Sequence, residues 1–211
     1  MRVPALYLTS IVCGFCLMAL EILASRLIQP TFGSSVDVWA AIISVFILSL
    51  SVGYMIGGRL ADKVRTNLLL GWLILISGVF FILMTIFGLR VNEALPESVQ
   101  TARWGSLLAS ALLFLPPSLL LGCVSPLLVR LVFVSAERVG RTIGTLNAVG
   151  SIGNVFGILV ANYLFLPLFP LNPTFIGLGV ALLLVGLGHV LVRVEVTAVS
   201  ASPVAAEGTQ P

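Results

Sequence analysis

Six apolar stretches, at 4–28, 38–57, 68–89, 104–129, 143–166 and 174–192, are each long enough to cross about 30 Å of hydrocarbon as a helix. Lipid offers the backbone no hydrogen-bonding partner, so a spanning segment must satisfy its own N–H and C=O groups as a helix or close into a barrel. The runs lack the two-residue polar alternation of barrel strands. The first is too long for a cleaved leader, contains Glu21 and has no clear small-residue cleavage site. The expected fold class is therefore an all-α integral membrane protein with six transmembrane helices over 1–193, followed at 194–211 by a small, polar, disordered cytoplasmic tail. Composition points the same way. Hydrophobic residues make up 59% of the chain and charged residues 9%, against about a quarter charged in soluble domains.

A net charge of +3 could suggest an anionic partner. The basic residues, however, fall in short stretches between apolar runs and form no single patch, which argues for membrane orientation and against nucleic acid. Arg2, Arg59, Lys63, Arg65, Arg130, Arg138, Arg141 and Arg193 all lie on one side of a six-span bundle. The other side carries Arg26, Arg90 and Arg103, with Glu93 and Glu97 beside them. The positive-inside rule then places both termini in the cytoplasm. Cys13, Cys16 and Cys123 lie within apolar runs; the C-x-x-C has no preceding strand and no nearby histidine, so packing is expected rather than redox or metal chemistry. No cofactor is expected.

Helix five is unusual for a membrane span, carrying Gly144, Asn147, Gly150, Ser151, Gly153, Asn154, Gly157 and Asn162. At about 100° per residue, Asn147 and Asn154 differ by about 20°, so one face is small and amide-bearing. Such a face serves tight helix packing with interhelical hydrogen bonds, or lines a polar cavity. Ionisable groups at membrane depth are functional candidates because burying them unpaired is costly. Glu21 and Arg26 qualify, but a spacing of five disfavours a pair within one helix. Glu21 is expected to find Asn162, which reaches a similar depth, or Arg26 of another copy. The candidate substrate-binding residues are thus Glu21, Arg26, Asn147, Asn154 and Asn162. Pro116 and Pro117 should kink or locally unwind the fourth helix. His189 is expected at the interface, and Trp39, Trp72 and Trp104 as interfacial anchors.

At the end of the second run, Gly57, Gly58, Arg59, Leu60, Ala61, Asp62, Lys63, Val64 and Arg65 form a short cytoplasmic segment that resembles the loop signature of major facilitator transporters. The resemblance implies a conformational latch built from Gly58, Arg59, Asp62, Lys63 and Arg65.

More broadly, the chain resembles the membrane half of the fused major facilitator/spermidine synthase-like proteins of bacteria. The resemblance runs through Gly14, Glu21 to Pro30, Phe32 to Ser35, Trp39, Gly53-Tyr54 and Gly57 to Asp62. It resumes at Gly122 to Leu127, then Gly140, Gly144 to Ala148, Gly150, Gly153, Gly157 and Pro167. It implies half of a major facilitator-like architecture, with two inverted three-helix repeats, in a bacterial inner membrane. Family members commonly continue into a Rossmann-like domain resembling a polyamine aminopropyltransferase. No G-x-G-x-x-G loop after a strand and no acidic catalytic cluster is read here, so enzymatic activity is not expected. Two functions follow from the resemblance. One is a transporter-like homodimer moving a small cationic or polyamine-like substrate. The other is a non-catalytic anchor or subunit for a separately encoded synthase-like protein or a larger membrane complex.

Overall fold

Each apolar run becomes a helix, and most of the helices continue past the run that predicts them. The computed structural model describes residues 3–63, 66–100, 104–132 and 139–192. Its spans are α1 (Val3–Phe32), α2 (Val36–Lys63), α3 (Leu68–Ala94), α4 (Gly105–Val132), α5 and α6 (Leu171–Leu191). Here α5 is Val139–Val160, a π-helical turn Ala161–Phe165, and Leu166–Leu168. All six are long and apolar enough to cross a bilayer, so the protein is a multi-pass, all-α membrane protein. A single helical turn, Glu97–Gln100, sits between α3 and α4. The expected tail at 194–211 lies outside the described residues.

Helix ends follow local chemistry. Gly33, at φ +76°, stops α1 by taking the left-handed conformation that glycine adopts without strain, and its N–H donates to the Gln29 carbonyl at 2.9 Å. Pro30 lies within that last turn without ending the helix. The expected loop after the second run is helix as far as Lys63, because Gly57 and Gly58 do not break a span whose neighbours hold it. Val64 and Arg65 lie outside the described residues. Pro116 and Pro117 do not unwind α4, which is continuous from Gly105 to Val132. One residue on, the Ser118 hydroxyl donates to the Phe114 carbonyl.

Three helix pairs dominate the packing: α1 on α5, α2 on α4, and α3 on α6. Exchanging α1 with α4, α2 with α5 and α3 with α6 leaves that list unchanged. Glycine contacts obey the same exchange residue by residue. An added methyl at Gly153 would collide with the Ile11 carbonyl, as one at Gly53 would with that of Leu119; Gly157 meets Phe15 as Gly57 meets Cys123. Gly14 approaches the Gly150 carbonyl as Gly122 approaches that of Leu50. Gly71 faces Gly186, and Gly78 faces Gly179. The sequence separation is constant within each exchanged helix pair. Since α1 and α4 cross in opposite directions, the bundle consists of two inverted three-helix repeats.

These crossings are close because nothing but hydrogen stands between the backbones. In lipid, where apolar burial gives helices little reason to associate, such approach gains dispersion contacts. Phe46 and Phe114, both fully buried, stack at 5.9 Å between α2 and α4. At the terminal end of the α3–α6 pair, the Asn67 amide donates to the carbonyls of His189 at 2.9 Å and Val192 at 2.7 Å. His189 itself is 2% exposed, packed inside the bundle rather than on its surface. Its Nδ1 lies 3.0 Å from the Val185 carbonyl and its Nε2 3.4 Å from the Thr9 hydroxyl. The face of α6 that carries it is turned toward α1 and α3. Trp39, Trp72 and Trp104 are exposed near span ends, as anchors would be.

Candidate functional site

α1, α2, α4 and α5 meet around the pseudo-two-fold and line an open cavity of about 430 Å³. Its polar lining comes from Ser10, Tyr54, Ser125, Asn147, Ser151 and Asn154. Several lining positions are repeat partners of one another: Gly150 of Leu50, Asn154 of Tyr54, and Ser125 of Leu17. The cavity occupies the half of the bundle nearer the chain ends, since α1 lines it with residues before its midpoint and α4 with residues after. Ser10 also donates to the Leu146 carbonyl at 3.4 Å, linking α1 to α5 at the cavity wall. The lining offers hydroxyls and amides and, among the described residues, no carboxylate and no basic group.

The amide face expected of α5 is therefore present, with Asn147 and Asn154 on one wall. Ser10, Tyr54 and Ser125 were not among the candidate substrate-binding residues, though Tyr54 and Ser125 fall within the stretches that carry the family resemblance. A search for small-residue spacing repeated between the two halves of the chain would have pointed to Ser10, which pairs with Ser118, but not to Tyr54 or Ser125, whose counterparts are Asn154 and Leu17.

The other candidates are not brought together. Arg26 and Asn162 line a separate cleft of about 290 Å³ near the opposite end of the bundle, with Gln29 and Trp39. Glu21 lines neither space. It lies on α1 about 20° from Gly14, seven residues beyond it on the cavity-facing side. Among the described residues it makes no hydrogen bond or ion pair. Asn162 reaches its depth, as expected, but shares a cleft with Ile22 and Arg26, on a different face of α1. The expected Glu21–Asn162 contact does not form, because depth is set by the count along each helix and direction by the α1–α5 crossing.

Of the latch residues, Gly58 and Asp62 line a cleft of about 270 Å³ with Arg130 of α4. Arg59 and Lys63 are exposed, and Arg65 lies outside the described residues. The three cysteines are free and buried.

α5 is the least buried span, with 17% of its central stretch covered against 39% or more elsewhere, and also the least hydrophobic. Asn147, Ser151 and Asn162 are exposed on it. Comparison with protein-family models, curated proteins and solved structures found no match to this chain.

Proposed function

We propose that this chain is a transporter-like membrane protein of half major facilitator type, completed by a second copy of itself. The observation that carries the reading is the polar cavity on the pseudo-two-fold between inverted repeats. That is where a transporter places its substrate, because the two repeats can exchange conformations around such a point. The thin cover of α5 beside the cavity supports the second copy: its exposed Asn147 and Ser151 need a partner or water on that side, since an amide left in hydrocarbon costs several kcal/mol. With one topology shared by both copies, a two-fold axis along the membrane normal closes the assembly. We place the protein in a bacterial inner membrane with both termini cytoplasmic, from the distribution of Lys and Arg.

The cargo is small and polar. A cationic, polyamine-like substrate would need a counter-charge, and Glu21 is the carboxylate that continues the cavity-facing side of α1. The alternative is a membrane subunit or anchor for a separately encoded synthase-like protein, and the same α5 face favours it as a docking surface.

Proteoliposome uptake of labelled spermidine and of an uncharged polyol of similar size tests the reading. Saturable uptake of either, reduced at least tenfold by Asn154→Leu, is expected. Disulfide-linked dimers from Ile152→Cys in an otherwise cysteine-free chain would accompany it. A folded protein that takes up neither and forms no such dimer would leave the subunit reading in its place.

A further inference from the structure

The cleft at the non-terminal end of the bundle differs from its repeat partner in charge balance. On the terminal side, Asp62 and Arg130 line one cleft, so that cleft carries its own acid and its own base. The spacing that relates Gly53 to Gly153 and Gly57 to Gly157 relates Ala61 to Ala161 and Asp62 to Asn162. At the other end the acid is thus replaced by a neutral amide and, by the α1–α4 spacing, Arg130 by Ile22, so that the base there is Arg26, about one turn further along α1. Arg26 stands there with Gln29, Asn162 and Trp39, and among the described residues no carboxylate lines the cleft. Among the described residues Arg26 makes no ion pair or hydrogen bond.

Two further observations bear on what fills this place. The wall contributed by α5 is the π-helical turn Ala161–Phe165, and such turns concentrate at functional positions in helices. Next to the cleft, and sharing Arg26, Gln29 and Leu166 with it, is a trough of about 600 Å³ with Pro30, Phe169 and Pro170 on its sides. A donor-rich cleft around a guanidinium thus joins an apolar trough.

We propose that this cleft binds the phosphate of an anionic phospholipid, with Arg26 as the charged anchor and the acyl chain lying in the trough. The planar guanidinium presents paired N–H donors that match phosphate oxygens, while the Gln29 and Asn162 amides and the Trp39 indole N–H add neutral donors. An unpaired arginine at this depth otherwise has to snorkel to water. The proposal does not rest on the transport reading, since it concerns a different space on the other side of the bundle.

The purified full chain in zwitterionic micelles, titrated with phosphatidylglycerol, phosphatidylcholine or inorganic phosphate and followed by native mass spectrometry and thermal shift, tests it. Saturable binding of phosphatidylglycerol, at least tenfold tighter than phosphatidylcholine, is expected. Arg26→Gln should weaken it at least tenfold, and Arg26→Lys less. Asn162→Asp keeps the arginine and the side-chain shape but supplies the acid that the partner cleft has, and it too should weaken binding at least tenfold; Arg130→Gln should not. Equal binding of the two lipids, or phosphatidylglycerol binding unchanged in both Arg26→Gln and Asn162→Asp, would overturn the proposal. Inorganic phosphate binding as tightly as the lipid would overturn the lipid as occupant.

Discussion

Replacing Gly153 by alanine tests the central packing statement with a single methyl group. A Cβ there would sit 2.9 Å from both the carbonyl carbon and the Cα of Ile11, and closer still to its oxygen. The obstacle is backbone, so no rotamer change relieves it, and α1 and α5 must separate along their crossing. Forcing extra carbon into a packed contact costs about 1–3 kcal/mol. Alanine in place of glycine within a helix contributes about 1 kcal/mol in the opposite direction. The net effect is a loss of between roughly 0 and 2 kcal/mol. Gly58 and Gly144 have nothing within 4 Å of an added Cβ, so alanine there should stabilise.

The informative quantity is the gap between these two classes, about 1–3 kcal/mol, because helix propensity cancels from it. Reversible unfolding in mixed micelles, or steric trapping in bicelles, would measure it. The repeat adds a sharper requirement. Gly53→Ala meets the Leu119 carbonyl oxygen at 2.5 Å in the partner crossing, and should lose stability alongside Gly153→Ala. If Gly153→Ala and Gly53→Ala were both as stable as Gly58→Ala, the close-contact account of the α1–α5 and α2–α4 pairs would fail. If one alone were costly, the inverted-repeat reading would fail.

Asn67→Ala should cost about 1–3 kcal/mol in the same unfolding assay, since it removes two donors and leaves the buried His189 carbonyl and the part-buried Val192 carbonyl at the end of α6 without them; an effect under about 0.5 kcal/mol would mean that water replaces the amide. Single cysteines at Ser98 and Thr66 in an otherwise cysteine-free chain should react with an impermeant maleimide from outside at Ser98 only, and the reverse pattern would invert the orientation. Glu21→Gln should leave folding and assembly intact while abolishing uptake of a cation and sparing uptake of an uncharged cargo. Unchanged cation uptake would remove Glu21 from the site.

The six spans were legible because lipid imposes a length and a hydropathy that no soluble alternative satisfies. Their ends were less so. The sequence reading stopped the second span at Gly57, where charge begins, whereas α2 runs to Lys63, since a helix that has already formed gains a hydrogen bond for each added residue. The Asn147–Asn154 face was legible because it depends only on the turn of one helix. The Glu21–Asn162 contact was not, because it depends on how two helices are rotated against each other, which local spacing does not encode. His189 was misplaced for the same reason: its level near a span end was right, but the turn of α6 toward α1 and α3 buries it. The repeat left few marks in sequence apart from small residues, because a helix crossing held by glycines constrains those positions and little between them.

The distribution of polarity across α5 is the feature that motivates proposing a partner for the bundle. On the side that meets α1, Gly153 and Gly157 bring the two backbones into contact, and that contact accounts for nearly all the cover α5 has. A span so bare should be the most hydrophobic of the set, yet it is the least. Its exposed surface mixes Ile152, Val155, Phe156 and Leu159 with Asn147 and Ser151. The apolar members would be content in lipid, so they do not decide the matter; the amide and the hydroxyl do. Each amide left in hydrocarbon costs several kcal/mol, a large share of the 5–15 kcal/mol that holds a typical domain together. The cavity next to this face, polar and lined from four helices of one chain, gives those groups a shared aqueous or protein-covered side. A partner laid across α5 would therefore cover the face and close the cavity with the same contact, which ties assembly to the site.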